Sequence, residues 1–268
     1  MMTNYTKNDV QLADDLCALA LAAGAKALEI YATDFVTEHK GDASPVTAAD
    51  RLGEEIILAG LAGLAPDIPV LAEERASDGD IPELGDMFFL VDPLDGTREF
   101  VNKTDEFTVN IALVKDGRPV IGVVYAPALG KLYCGILNGG AWLQEIDRTG
   151  AAGERNEIRA RKAPDAGLVA VASRSHRSTE TDEFLTAMNV SEFAAAGSSL
   201  KFCLIAEGKA DIYPRLGRTM EWDTGAGQAV LEAAGGKVVV HPGGEPLAYG
   251  KEARGYDNPY FIAWGALS

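Results

Sequence analysis

Residues 90–100 read LVDPLDGTREF, an apolar run that leads directly into two aspartates. The run predicts a buried strand, and Pro93 makes the chain turn after Asp92 because its ring fixes φ and removes the backbone N–H. This turn can bring the carboxylates of Asp92 and Asp95 and the carbonyl of Leu94 around one centre. Like charges at such short range repel each other unless a positive charge lies between them. The stretch therefore indicates a cation.

The residues that follow extend this interpretation. Gly96 permits a tight turn, and if a helix begins here, the free amides near Asp95, Gly96 and Thr97 form an anion site. Oxygen-only ligands suit Mg²⁺, which typically keeps waters and contacts a substrate phosphate. By itself the stretch is also compatible with a polar β-turn, because Asp, Pro and Gly dominate turns for local reasons.

Three other short stretches place acids at the edges of apolar segments. They carry Asp50 after PVTAA, Glu73 and Glu74 after IPVLA, and Asp223 in EWDTGAG. Taken singly, Asp50 and Asp223 are typical of helix N-termini, and the Glu pair is typical of a solvated surface. Active sites of layered α/β proteins form where strand ends and helix starts meet, so the joint pattern indicates one site.

Composition excludes several classes of protein. The net charge of −16 argues against binding to duplex nucleic acid, which relies on Lys and Arg. The sequence contains no apolar run of about 18 residues and no secretory pattern at its start. Cys17, Cys134 and Cys203 are scattered, which is typical of free thiols in a reducing compartment. We expect a cytoplasmic protein, while peripheral association with the inner membrane and a homodimer stay open.

Hydrophobic periodicity predicts a chain in two parts. Helices are expected over 8–32 and after Thr47, and strand-like runs with short turns then predict antiparallel meanders. A polar, Gly-rich and basic stretch near residue 150 indicates a boundary between domains 1–150 and 151–268. Beyond it, strands and helices alternate, which predicts a sheet covered by helices.

The order PVTAAD, LAEE, VDPLDGT and WDTGAG resembles the Mg²⁺-dependent, lithium-sensitive phosphatases of the inositol monophosphatase superfamily. The resemblance spans essentially the whole chain. It implies an α/β (α+β) fold, a layered α-β-α-β-α sandwich of the inositol monophosphatase and fructose-1,6-bisphosphatase type.

A narrower resemblance points to the bacterial 3′(2′),5′-bisphosphate nucleotidases of this superfamily. It rests on TREFVNKTDEFTVNIALV, ASRSH and GSSLKFCLIAEGKADIYPR. It implies hydrolysis of the 3′-phosphate of adenosine 3′,5′-bisphosphate to give AMP and phosphate. The 5′-phosphosulfate analogue is a further substrate left open. The alternatives are an inositol-phosphate or fructose-1,6-bisphosphate phosphatase, and a metal- or nucleotide-binding regulator without catalysis.

The resemblance also implies the roles of individual residues. Glu73, Asp92 and the Leu94 carbonyl would hold one Mg²⁺, Asp92, Asp95 and Asp223 a second, and Glu73 a loosely bound third. Asp50 and Thr97 would position and deprotonate the attacking water, and Glu74 would support the ligands indirectly. The contacts to phosphate and nucleotide would come from Gly96, Thr97, Ser173, His176, Gly197, Ser198 and Lys201, with Ser199 a weaker candidate. By a plainer interpretation, His176 is a surface residue and Lys201 a solvated helix residue.

Overall fold

A computed structural model describes residues 7–35, 38–39, 45–172 and 179–266. The α-helices in these ranges are α1 (Lys7–Tyr31), α2 (Ala48–Leu64), α3 (Glu73–Ser77), α4 (Thr97–Val101), α5 (Thr179–Thr186), α6 (Leu200–Ala206) and α7 (Gly225–Ala233). Short 3₁₀ helices span Pro127–Leu129 and Glu252–Arg254. No helix of this described part combines the length and the apolar composition needed to cross a bilayer.

Within the described ranges, the strands form two large sheets and one two-stranded sheet. They are β1 (Glu38–His39), β2 (Pro45–Val46), β3 (Val70–Ala72), β4 (Met87–Asp95), β5 (Thr108–Lys115), β6 (Arg118–Ala126), β7 (Lys131–Ile136), β8 (Gly140–Glu145), β9 (Asn156–Ile158), β10 (Leu168–Ala172), β11 (Val190–Ala195), β12 (Ile212–Arg215), β13 (Lys237–Val240) and β14 (Phe261–Trp264). Strands β1 and β2 pair only with each other.

The first large sheet is the predicted meander. Its order is β3-β4-β5-β6-β7-β8-β9, and every neighbouring pair is antiparallel except β3 and β4. Tight turns such as KDGRP join consecutive strands, so sequence neighbours are also sheet neighbours. Strand β9 extends this sheet past residue 150, and the predicted division of the chain at that position stays a prediction.

The second large sheet has the order β11-β10-β12-β14-β13. Strand β10 lies parallel to β11 and β12, whereas β14 is antiparallel to both of its neighbours. The parallel pairs are joined by the helices α5 and α6, as the alternating pattern of the second half predicts.

Helices cover the sheets in layers. Leu16 of α1 and Ile57 of α2 belong to a buried cluster on one face of the first sheet. Phe202 of α6 and Val230 of α7 fill the core between the two sheets. Leu185 of α5 packs on the far face of the second sheet with Ala170, Ile212 and Ile262. This is the α-β-α-β-α sandwich that the resemblance implied, and the prediction is confirmed.

Candidate metal centre and active site

A single extra residue in β4 brings Asp92 and Asp95 to the same side of the sheet. Side chains alternate between the two faces of a strand, so two acids three positions apart would ordinarily lie on opposite faces. Here Asp92 pairs with Asn110 and Asp95 with Thr108, two positions apart on β5. The irregularity contains Pro93, which has no N–H to give to a neighbouring strand. The Leu94 amide donates to Asp92 Oδ1 at 2.9 Å and closes the turn.

Three carboxylates from separate elements converge beside this turn. Glu73 at the start of α3, Asp92 of β4 and Asp223 just before α7 each offer one oxygen, and these oxygens lie within 4.8 Å of one another. We call these three residues the acidic cluster. Asp92 is 1% exposed. Glu73 and Asp223 are half-buried. A partly buried, oxygen-only set of donors fits a hard divalent cation, whose charge would offset the repulsion among the acids.

The electrostatics of the cluster agree with this interpretation. Desolvation, followed by the charges of Glu73, Asp95 and Asp223, raises the pKa of Asp92 well above its usual range. Desolvation and the same kind of repulsion raise the pKa of Asp223 to about 8. The pKa of Asp95 is also raised by desolvation, against an opposing effect of Lys201. Without a cation the site therefore disfavours its own negative charge.

Asp50 and Thr97 form a hydrogen-bonded pair at the edge of this site. Thr97 Oγ1 lies 3.1 Å from Asp50 Oδ1 and 3.3 Å from the Leu94 carbonyl oxygen, and its one proton is donated to one of them at a time. The other carboxylate oxygen of Asp50 accepts from the amide and the hydroxyl of Thr47, at 2.7 and 2.8 Å. The capping box of α2 thereby fixes the orientation of Asp50.

Ser199 and Asn110 link Asp223 to Asp95 through a chain of hydrogen bonds. The Ser199 hydroxyl donates to the backbone carbonyl of Asp223 at 2.8 Å. The Asn110 amide donates to Ser199 Oγ at 3.1 Å and to Asp95 Oδ2 at 3.4 Å. The Ser199 hydroxyl is therefore already hydrogen-bonded to other residues of the protein. Asn110 carried no motif signal, because its role depends on a partner 89 positions further along the chain.

The cationic pair consists of Lys201 in α6 and Arg215 at the end of β12. The charge of Lys201 opposes the rise in the pKa of Asp95, and the charge of Arg215 opposes the rise in the pKa of Asp223. Lys201 is only 7% exposed, and its Nζ lies 5.4 Å from the centre of the Tyr213 ring. Desolvation lowers the pKa of Lys201 to about 8, while Asp95 raises it and Arg215 lowers it. Arg215 Nε is buried and has no hydrogen-bond partner among the described residues. A buried donor of this kind is what an anionic ligand would satisfy.

At Gly96 the backbone conformation requires glycine, and at Gly197 a close backbone contact does. Gly96 has φ 92° and precedes α4, so the predicted tight turn is present. A Cβ on Gly197 would lie 2.7 Å from the Glu106 carbonyl oxygen. The neighbouring Ser198 has φ 43°, and its hydroxyl is buried without a partner among the described residues. Ser173 and His176 lie outside the described residues.

Sequence reasoning did not identify Glu54, which is 4% exposed. Its Oε2 accepts from the Glu74 amide at 2.8 Å and its Oε1 accepts from the Arg75 amide at 3.1 Å. Glu54 therefore holds the backbone of the residue that follows Glu73 at the start of α3. Arg215 was missed as well, because a Tyr-Pro-Arg tripeptide at the end of a strand carries no signal by itself.

Fold and site together define a layered α/β phosphatase of the metal-dependent kind. The chain belongs to the inositol monophosphatase family, whose profile matches residues 9–262.

Within that family, the chain is similar to proteins named as bisphosphate nucleotidases. The chain is 44% identical over 238 residues to the 3′(2′),5′-bisphosphate nucleotidase CysQ of Escherichia coli O157:H7, covering 88% of this chain and 93% of that protein. It is 45% identical over 227 residues to the enzyme of the same name from Salmonella typhimurium, covering 84% and 89%.

Solved structures give the same picture. CysQ from Bacteroides thetaiotaomicron superposes with a TM-score of 0.79 at 38% identity, covering 96% of this chain and 98% of that one. An inositol monophosphatase from Anabaena superposes with a TM-score of 0.73 at 27% identity, covering 97% and 92%.

Proposed function

We propose that this protein is a Mg²⁺-dependent 3′(2′),5′-bisphosphate nucleotidase that converts adenosine 3′,5′-bisphosphate to AMP and phosphate. The observation that carries the proposal is the acidic cluster within 4.8 Å, beside a threonine hydroxyl bonded to a buried carboxylate. The substrate class is supported by the relatives named as bisphosphate nucleotidases.

The proposed metal ligands follow from the geometry and the resemblance. Glu73, Asp92 and the Leu94 carbonyl would hold one Mg²⁺, and Asp92, Asp95 and Asp223 a second, with Glu73 available to a third. When bound, paired ions of this kind stabilise both the attacking and the leaving oxygens of a phosphoryl transfer.

Asp50 and Thr97 would orient the attacking water. With its proton directed to Asp50 Oδ1, the Thr97 hydroxyl keeps a lone pair that can accept a hydrogen bond from water. The water oxygen then bonds to phosphorus while one water proton passes through the Thr97 hydroxyl to Asp50. The bond to the ribose 3′-oxygen breaks, that oxygen takes up a proton from solvent, and Asp50 returns its proton to solvent. Asp50 cannot rotate away, because its second oxygen is held by Thr47.

Binding of the rest of the substrate would fall to two groups of residues. The amides of Gly96 and Thr97 would hold the reacting phosphate at the start of α4. The second phosphate would meet the cationic pair, and Ser198 and Gly197, which precede α6, would be further contacts. A phosphate at this position would satisfy Arg215 Nε and Ser198 Oγ, which are buried and lack hydrogen-bond partners within the part of the chain that the structure describes. Ser173 and His176 stay predicted nucleotide contacts.

The alternatives separate in one assay. Phosphate release is measured from adenosine 3′,5′-bisphosphate, inositol 1-phosphate and fructose 1,6-bisphosphate, each with Mg²⁺, with EDTA and with added Li⁺. We expect Mg²⁺-dependent, Li⁺-inhibited release chiefly from the nucleotide. Preference for inositol 1-phosphate would keep the metal centre and discard the role of the cationic pair. Preference for fructose 1,6-bisphosphate, which carries a second phosphate, would keep both and discard the predicted nucleotide contacts. No release from any of the three would favour a binding protein without catalysis.

A cytoplasmic location is part of the same proposal. Cys17, Cys134 and Cys203 are all free and buried, which suits a reducing compartment.

A further inference from the structure

The helix α3, which carries Glu73, has no cap of its own. Its N-cap residue is Ala72, which ends the buried strand β3 and has no side-chain oxygen to accept from the first amides of the helix. A helix of five residues leaves most of its amides unsatisfied unless another part of the chain accepts from them. The direction of the Glu73 side chain depends on how this short helix is held.

Glu54 supplies the missing cap from a different helix. Its two carboxylate oxygens accept from two successive amides, those of Glu74 and Arg75. Only a carboxylate has an acceptor at both positions, since the amide of glutamine would turn one of them into a donor. Burial raises the pKa of Glu54 to about 7, so placing an acid here is costly for the fold.

Glu54 and Asp50 lie one turn apart on α2, and both are buried. Asp50 accepts from Thr97, while Glu54 holds the first turn of α3. Between them, Gly53 lets α2 approach the metal turn, because a Cβ there would lie 3.3 Å from Pro93 Cβ. One rigid helix thereby aligns the water-orienting pair, the Asp92 turn and the helix of Glu73.

We propose that Glu54 is a positioning residue that sets the Mg²⁺ affinity of the site by holding the α3 backbone, and with it Glu73, in register with Asp92 and Asp223. The inference rests on the proposed function, because it assumes that the acidic cluster binds the metal. Glu54 itself touches neither metal nor substrate in this assignment. Groups that orient metal ligands from behind typically change metal affinity by about 10–100-fold when they are replaced.

The test is calorimetric titration of Mg²⁺ into the full-length, metal-free protein without substrate, for wild type, Glu54→Gln and Glu55→Gln. Glu55 is the exposed neighbour on the same helix and serves as the matched control. We expect the Mg²⁺ dissociation constant to rise roughly 10-fold or more in Glu54→Gln and to stay within about twofold in Glu55→Gln. In turnover assays, the Mg²⁺ concentration for half-maximal rate should rise likewise, while KM for the nucleotide at saturating Mg²⁺ stays unchanged.

Equal Mg²⁺ affinity in wild type and Glu54→Gln would overturn the inference and leave the proposed function standing. A wild-type protein that binds no Mg²⁺ would instead overturn the metal assignment on which both depend. If Glu54→Gln does not fold, the same titration is made on Glu54→Asp, which keeps two acceptor oxygens but is one methylene shorter. Unchanged affinity in that variant would count equally against the inference.

Discussion

The acidic cluster and the cationic pair are two charged regions of the same site, and they have opposite electrostatic needs. In the cluster, desolvation and the neighbouring carboxylates raise the pKa values of Asp92 and Asp223, so a cation would relieve the unfavourable charge. In the pair, desolvation and the charge of Arg215 lower the pKa of Lys201, and the buried Nε of Arg215 lacks a partner among the described residues. A site with separate negative and positive regions can bind a cation in the first and an anionic group in the second. The two regions also differ in how they are held.

Two acids of the cluster, Asp92 and Asp223, are held by backbone amides close to them in the chain, whereas the cationic pair depends on elements far apart in the chain. Asp92 accepts from an amide two residues away, and Asp223 accepts from the Met220 amide at 2.9 Å. Lys201 owes its burial to the packing of α6 beside β12. The comparison predicts that the metal region governs turnover and that the cationic region governs substrate choice.

The largest effect is expected from Asp92→Asn. Removal of the most buried charge of the cluster should lower kcat/KM for the nucleotide by about 10³-fold, since metal stabilisation of a phosphoryl transition state contributes several kcal/mol. The same change should raise the melting temperature in EDTA, by roughly 2–4 °C for each kcal/mol of repulsion removed. Exposed Asp78→Asn is the control for both measurements. Turnover within tenfold of wild type would remove Asp92 from the ligand set.

Thr97→Ala is expected to come next. Loss of the hydroxyl should lower kcat by about 10²-fold, because the water then lacks its link to Asp50. Calorimetric Mg²⁺ affinity should stay unchanged, and Thr97→Ser should keep most of the activity. If Thr97→Ala turned over normally, the water-orienting role of this pair would be wrong, although the metal centre would stand.

A smaller and more selective effect is expected from Lys201→Met. The substitution keeps the length and the apolar stem but removes the charge, so KM for adenosine 3′,5′-bisphosphate should rise roughly 10–100-fold. Release from inositol 1-phosphate, which has no second phosphate, should change little. Lys209→Met, at an exposed position after α6, serves as the control. An equal loss on both substrates would show that Lys201 supports the acids and does not select the substrate.

The smallest effect concerns stability. Mg²⁺ at about 100 times its dissociation constant should stabilise the protein by about 2.7 kcal/mol relative to EDTA. This should appear as a rise in melting temperature that is absent with the same concentration of Na⁺ as a charge control. In Asp92→Asn the Mg²⁺-dependent rise should shrink, because fewer carboxylates remain to attract the ion. A melting temperature independent of Mg²⁺ would argue against the acidic cluster as a metal centre.

Amino-acid order alone predicted the longer helices and most strands and singled out the acids. Helix α2 was predicted to begin after Thr47 and does so, with Thr47 and Asp50 forming a capping box that depends only on residues three apart. The capping and functional interpretations of Asp50 also prove compatible, since one oxygen caps the helix and the other accepts from Thr97. The layered fold followed from the meander-then-alternation pattern and from the resemblance.

Tertiary structure determined which distant residues orient those acids and the backbone around them. The extra residue that turns Asp92 and Asp95 to one side is defined only by pairing with β5. The bond from Glu54 to α3 spans 20 positions, and that from Asn110 to Ser199 spans 89. Hydrophobic periodicity and capping act over a few residues, whereas these contacts exist only after the sheets have packed around α6 and α7. Local sequence patterns therefore singled out the acids as candidate ligands, and long-range packing determined which residues hold them in place.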